Sequence, residues 1–549
     1  MKDSQFQEEY GHHLLDEVLS GRMTRRQLLV RATVIGLSST AVAGMLTACG
    51  GGTSSQATAT PSTTPKPGGI LKVGMIPPTG AIDPLVIYDL GSIGVVQLVC
   101  EYLAWANADL SLRPVLAEKW EPDPEVKVWT FYLRKGVTFN DGKPFGADDV
   151  VATFKTILDP KTISASASAF TGILTADGVE KVDDSTVRFS LEEPFTDFPY
   201  IVGSSNYDCV MLPSTYELGT WEDNPVGTGP FTLVDYKPRV SAKFERNPKY
   251  WQPGLPYLDG VAHVFNEETQ AQALALQAGS IDMMLVTPYE SAQRLSGDSN
   301  VKVLEVSSNG HRQLHMRVTE SPFQDKRVRQ ALAWTLDRPG LNQLLFGGKA
   351  PIGNDHPFAP DFPLSPTDIP QRNVDIAKAK QLLADAGYAN GVDMTLSVEG
   401  YEEIPKYATA VQSMAKEAGI NIKLDMMSLE EYYGSGENQP WLEVPMGITD
   451  WSFRSVPEQF IIPSYTSTGV WNSAQFKNPT FDQLISDYTS ELDEQKRRAD
   501  AKQAALLAMD ETPYIIAYWE SVSRAMKKNV QGVVADPQQF LDLSTANLT

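Results

Sequence analysis

A chain of 549 residues, 42% hydrophobic and 21% charged, has the balance of a soluble globular protein and is long enough for more than one core, since single cores stop growing at roughly 250 to 300 residues. Its 68 acidic residues against 46 basic ones give a formal charge of -22, which argues against nucleic acid as a partner because phosphate binding needs a basic surface. The acidity reads as a self-repelling surface rather than a specific function.

The first segment is not fold. "TRRQLLVRATVIGLSSTAVAGMLTACGG" joins Arg25 and Arg26 to an uncharged run from Ala32 to Ala48. That run is short for a transmembrane helix, which needs roughly 20 apolar residues, and it stops at small residues as an export signal does. It resembles a twin-arginine signal peptide, over residues 1–48, fused to a lipoprotein cleavage box, Leu46-Thr47-Ala48-Cys49. Leu28 stands where the twin-arginine pattern has phenylalanine, which leaves general secretion open. The resemblance implies lipidation of Cys49; the other reading is an uncleaved N-terminal anchor. "GGTSSQATATPSTTPKPGG" follows without aromatic or large aliphatic residues, so residues 49–67 read as a flexible tether. Two acyl chains on such a tether would hold a soluble domain against the outer face of a membrane.

From Gly69 onward, strands and helices mix. "VWTFYLRKGVTF" alternates over residues 128–139, and "STVRFSL" puts Val187, Phe189 and Leu191 on one side, as half-buried strands do. Between them "ADDVVATFKTIL" reads as a helix capped by Asp148, so that residues 101–221 form a small α/β subdomain. "TQAQALALQAGSIDMMLV" predicts a helix to Ala278, a stop at Gly279 and a strand from Ile281 to Val286. "DIAKAKQLLADAGY" repeats the pattern, with Asp375 as cap, Leu382 and Leu383 inward and Gly387 past the end. In "DEQKRRADAKQAALLAMDETPYIIAYW", Pro513 ends the helix before a strand from Tyr514 to Trp519. Such alternation predicts open α/β sheets with helices on their faces.

Chemical motifs are scarce. No Gly-x-Ser-x-Gly elbow, P-loop, His-Glu-x-x-His or Cys-x-x-Cys occurs, which weighs against the common hydrolase and nucleotide-enzyme classes. His311 and His315 in "GHRQLHMRV" share a face, but the context is strand-like and no third ligand lies near, so no metal and no cofactor are expected. "NPVGTGPF" lacks the lysine and helix of a phosphate cradle and reads as a turn. Cys100 and Cys209 form either a disulfide or two buried thiols, with the thiols favoured.

Six phrases in order resemble the extracellular solute-binding proteins of family 5, receptors of ATP-binding-cassette importers. They are "LAEKWEPDPEVKVWTFYLRKGVTFNDGKPFGADDVVATF", "NPVGTGPFTLVDY" with "RNPKYW", "PFQDKRVRQALAWTLDR", "ADAGY", "FKNPTFDQLI" and "ETPYIIAYW". The resemblance implies a periplasmic-binding-protein-like fold of two α/β lobes around a hinged cleft (type II, cluster C), with a subdomain inserted in the first lobe. Lobe I would take residues 68–100, 222–307 and 524–549, the insert 101–221 and the second lobe 308–523. The function implied is a lipid-anchored, monomeric extracytoplasmic receptor that delivers a peptide or peptide-sized polar solute to permease subunits. A secreted hydrolase on the same scaffold, or a sensory protein without a permease, are the alternatives; the first would need a nucleophile beside a base, and none is visible.

In "GITDWSFRSVPEQF" the family's peptide receptors carry a tryptophan and then an acid for the peptide's amino terminus. Aligned on Pro457, that acid falls at Phe453, with Arg454 beside it and Asp450 three residues upstream. An arginine suits a carboxylate or phosphate, so an anionic solute is expected, unless Arg454 pairs with Glu458 or caps a carbonyl. By the same resemblance Trp451, Trp471 and Asn472 would meet the ligand from one lobe. Tyr88, Asp89, Leu285 and Val286 would meet it from the other, and Arg317 would add a second cation.

Overall fold

The computed structural model describes residues 65–162, 164–434 and 438–549. The expectations at Arg25, Arg26 and Cys49, and most of the tether, lie outside the described residues. No helix among the described residues is long and apolar enough to cross a membrane.

The strands, in chain order, are β1 (Ile70–Met75), β2 (Ala104–Ala106), β3 (Leu112–Pro114), β4 (Ala117–Pro122), β5 (Val128–Leu133), β6 (Val179–Asp183), β7 (Thr186–Ser190) and β8 (Phe231–Lys237). They continue with β9 (Ser241–Arg246), β10 (Gly260–Phe265), β11 (Met283–Met284), β12 (Val301–Met316), β13 (Val392–Glu399), β14 (Ile420–Met427), β15 (Met446–Trp451), β16 (Tyr514–Lys527), β17 (Val530–Gln531) and β18 (Asn547–Leu548). Ten of them form one sheet in the order β14-β13-β15-β12-β16-β11-β1-β10-β9-β8. Parallel pairs such as β1 with β10 and β13 with β14 are joined through helices, as buried parallel strands require.

The longest strands, β12 and β16, run antiparallel from Val301↔Lys527 to His315↔Tyr514, with register shifts between Ser307 and His311 and between His311 and Gln313. Their two ends belong to different cores. Met526 packs with Leu71, Val73 and the aromatic side chains of the first half, whereas Leu314, Met316, Ile515 and Tyr518 pack with Leu396, Ile448 and Val411 of the second. The middle of the pair therefore spans the gap between two hydrophobic clusters.

A separate antiparallel sheet, β4-β5-β7-β6, forms within residues 117–190. The helix Ala147–Ile157 lies on it through Val150, Phe154 and Ile157, and Phe131, Phe154, Phe189 and Phe198 meet edge to face or tilted. Two details differ from the sequence reading. Gly146, not Asp148, is the helix cap, because the Asp149 carboxylate reaches back to the Gly146 N–H at 2.8 Å and leaves Asp148 free to pair with Lys181. The expected strand over Ile281 to Val286 shortens to Met283–Met284, which pair in register with Val73 and Gly74 of β1. Cys100 and Cys209 are separate buried thiols whose sulfurs lie 3.7 and 3.5 Å from the carbonyls of Val226 and Ile201.

The helix Glu494–Glu511 begins at Asp493, whose carboxylate accepts from the Gln495 and Lys496 N–H groups at 2.9 and 3.2 Å. Losing such a cap strands first-turn donors, so Asp493→Ala is expected to lower stability by about 1 kcal/mol in urea unfolding. No change at all would mean that water replaces the cap without cost.

Candidate functional site

From Ser308 to Met316 every residue of β12 is buried, although side chains alternate between the two faces. Arg312 stands in this stretch with its side chain 2% exposed. A guanidinium cannot shed its proton, so burying one requires anions around it. The fold supplies four. Asp450 faces Arg312 across the β12–β15 register, Glu520 comes from β16, and Glu402 and Glu403 precede the helix Ile404–Lys416. Arg312 Nη2 lies 3.1 Å from Glu402 and Nε 2.9 Å from Glu403, while Nη1 meets both Asp450 and Glu520. A Cβ at Gly310 would sit 2.3 Å from Glu520 Oε2, so any larger residue there would have to push that carboxylate aside.

Four carboxylates against one guanidinium cannot all ionise freely. Burial pushes the Glu520 carboxyl up to about 8; Arg312 opposes the shift, and Asp450 and Glu403 add to it. Asp450 is also raised, by burial foremost, with Arg312 pulling the other way. Behind it Glu399 accepts from Tyr433 Oη and from the Asp450 N–H, both at 3.1 Å, and burial followed by the Asp450 charge lifts it to about 7.

Arg454 provides the opposite charge. Its backbone is clamped to β12, where Asn309 Oδ1 accepts from the Arg454 N–H at 2.8 Å and Asn309 Nδ2 donates to the Arg454 carbonyl at 2.7 Å. Nη1 donates to Ser452 Oγ at 2.8 Å and to the Phe453 carbonyl at 2.9 Å, so the carbonyl-capping expectation holds for one edge of the fork. Among the described residues Arg454 makes no ion pair, and Nε and Nη2 have no acceptor. Burial lowers its proton affinity. The expected alternative partner, Glu458, is taken by Arg497 at 3.0 Å.

Arg312, Glu402, Asp450, Glu520, Arg454 and Glu458 line a cleft of about 720 Å³. Tyr88, 71% exposed, stands on its rim with Val470 and Ile462, and Phe453, Trp471 and Phe540 give it apolar surface. On one side a tie joins the segment after β7 to the C-terminal helices. The Thr196 N–H donates to the Thr489 carbonyl at 2.8 Å, and Arg497 bridges Asp197 and Glu458 with its guanidinium 4.4 Å from the Tyr488 ring.

Of the residues expected at a ligand site, Tyr88, Asp450, Arg454 and Trp471 reach the cleft wall. The others are placed elsewhere. Asp89 caps the helix Leu90–Val99, accepting from the Ser92 N–H at 2.9 Å. Leu285 is buried in the first core with its N–H donating to the Gly74 carbonyl at 2.9 Å, and Val286 packs against that core. Trp451, 5% exposed, stacks on His311 and meets Phe460 and Trp471 edge to face. Asn472 staples its loop to Thr466, Phe476 and Tyr514. Arg317 is drawn to Glu320 at 3.1 Å and to the Glu443 carbonyl, away from the wall, so it adds no second cation there. His311 and His315 are buried on β12 facing the Asn309 and Val444 carbonyls, and burial lowers both to about 4. Arg312, Glu402, Glu403, Glu520 and Asn309 were not expected. The available signal was an arginine inside a strand, a placement that demands buried acids.

The family described as "Bacterial extracellular solute-binding proteins, family 5 Middle" matches residues 111–473. The chain is 29% identical over 495 residues to heme-binding protein A of Haemophilus influenzae, covering 84% of this chain and 88% of that protein. It is 27% identical over 478 residues to the glutathione-binding protein GsiB of Escherichia coli (strain K12), covering 85% and 92%. Among solved structures it resembles the oligopeptide-binding protein AppA of Bacillus subtilis in complex with a nonapeptide, at 25% identity and a TM-score of 0.69, covering 88% and 100%. That fold is two α/β lobes around a cleft, in agreement with the two cores described above.

Proposed function

We propose that this chain, which belongs to the bacterial extracellular solute-binding proteins of family 5, is a lipid-anchored receptor that captures a peptide-sized zwitterion and delivers it to the permease of an ATP-binding-cassette importer. The observation that carries the reading is one cleft holding both the acidic wall around Arg312 and Arg454, which makes no ion pair among the described residues. A peptide's amino group suits the first and its carboxylate the second. The relatives named for glutathione and found with a nonapeptide support a peptidic solute. This reading replaces a simply anionic solute, because the wall around Arg312 carries more negative than positive charge.

Tyr88, Asp450, Arg454 and Trp471 are the proposed contacts. Lipidated Cys49 would keep the receptor near its permease, and the chain's crossings between lobes near residues 308 and 523 would be the hinge, a reading that the register shifts of β12 support. Ligand touching both lobes favours the closed form by its difference in affinity for the two states. Hydrogen bonds to charged groups contribute roughly 1.5 to 3 kcal/mol each, so two or three of them with apolar packing suffice for micromolar binding, about -8 kcal/mol.

The test is a thermal-shift screen of the full chain in mild detergent against di- to pentapeptides, oligosaccharides and nickel chelates. Peptides are expected to raise the melting temperature with concentration; product formation instead would favour an enzyme. Arg454→Ala is expected to weaken a peptide with a free carboxyl end by about tenfold or more while leaving the free protein's melting temperature in place. The same peptide with an amidated end should bind weakly to both proteins. Equal affinities of the wild type for the two forms would remove Arg454 from its role.

A further inference from the structure

We infer that Tyr207 is a further recognition residue, whose hydroxyl shares one carboxylate of the solute with Arg454. The inference rests on the receptor reading and adds to it a neutral donor from a different part of the fold.

Tyr207 and Arg454 line the same cleft but are held by different cores. Tyr207 lies in the stretch between β7 and β8 and packs against the first core, whereas Arg454 follows β15 and is clamped to Asn309 of β12. The two side chains are near enough for the charge of each to be felt by the other. Among the described residues no hydrogen bond joins them, Tyr207 Oη has no partner, and Nε and Nη2 of Arg454 have no acceptor. Three donor groups thus stand in one region of the cleft, and a carboxylate has two oxygens with lone pairs enough for all of them.

The nearby acids are engaged elsewhere. Asp450 is turned to Arg312, and Glu458 is held by Arg497 at 3.0 Å. Asp208, next to Tyr207, accepts from Ser164 Oγ at 2.7 Å and from the Ser166 N–H at 3.2 Å. The anion that would satisfy the pair therefore comes from the solute.

Tyr207 is also fixed in place. Its carbonyl accepts from Tyr102 Oη at 3.2 Å, which accepts in turn from Gln97 Nε2 at 3.2 Å, while Gln97 Oε1 accepts from the Leu541 N–H at 3.0 Å. One chain of bonds thus anchors Tyr207 and the neighbour of Phe540, another cleft residue. A donor on a pinned backbone loses little freedom on meeting a ligand. Burial, followed by the Asp208 charge, raises the phenol against the pull of Arg454, so the hydroxyl keeps its proton at neutral pH and donates.

Isothermal titration of the full chain in mild detergent with Ala-Ala-Ala and with its carboxyl-amidated form tests this in Tyr207→Phe, which keeps the ring and removes the hydroxyl. The wild type is expected to prefer the free acid. Tyr207→Phe should bind that acid about tenfold more weakly and the amide as the wild type does. Added to Arg454→Ala, the same change should cost only about threefold, because the two residues share one partner. An equal loss on both peptides, as from a tyrosine that only braces the cleft or bonds Arg454 directly, overturns the inference, as does no loss on either or full additivity in the double variant. Those results leave the receptor reading standing where the wild type prefers the acid. A wild type that binds neither peptide, or both equally, overturns the role of Arg454 and the inference with it.

Discussion

Arg312→Met is expected to lower the unfolding free energy by about 3 to 5 kcal/mol at pH 7.5, because removing one partner of a buried ion cluster leaves the others uncompensated. Asp450, Glu403 and Glu520 would be held together with no cation among them. The cost should shrink at pH 5. Glu520 sits at about 8 in the fold against an ordinary carboxyl value of 4.5, so between those limits the folded state holds a proton that the unfolded chain has released. Stability from that group is thus fullest below about 4.5 and is lost as pH rises towards 8. Without Arg312, which pulls these carboxyls down, their proton affinities rise further and acid relieves more of the repulsion. Urea unfolding at the two pH values measures the difference; a cost that ignores pH, or stays under about 1 kcal/mol, would show that water already compensates the cluster.

The second large effect belongs to Arg497→Ala. It removes the cation between Asp197 and Glu458, both largely buried, and about 3 kcal/mol of stability should go with it. Closure should suffer too, because the same residue ties the segment at 196–197 to the helices at 489–497 beside the cleft. Small-angle scattering should then report a larger radius of gyration in the variant with peptide present, and peptide affinity should drop. Arg497→Lys is expected to rescue only partly, since an ammonium cannot reproduce the planar fork that spans two carboxylates. Wild-type scattering and affinity in Arg497→Ala would reduce the tie to a local structural bond.

Much of the architecture was readable because its signals are local. Asp375 and the helix-ending glycines Gly279 and Gly387, both at positive φ, mark helix ends within a few residues of themselves. Asp148 misled because the helix is capped backwards, by Asp149 onto Gly146. At the site, Asp450 and Arg454 were found together because they lie four residues apart, at the end of β15 and just past it. Trp451 was misplaced by a rule that the sequence already offered: neighbours on a strand point to opposite faces, so once Asp450 faces Arg312 and the cleft, Trp451 turns to the aromatic cluster. The acidic wall stayed hidden because its members, at 312, 402, 403, 450 and 520, meet only through tertiary pairing. Leu285 and Val286 turn to the first core instead of the cleft, since burial of apolar side chains there is decided by tertiary packing.

In the ten-stranded sheet, β16 lies between β12 and β11, yet it follows every other strand of that sheet in the chain. During synthesis, the strands on either side would wait with unpaired edges until residues 514–527 arrive. A product stopped short of Tyr514 would expose both edges, the kind of surface that recruits other chains. Assembly is thus held back until almost the whole polypeptide is present, which makes late truncations the ones most prone to aggregate.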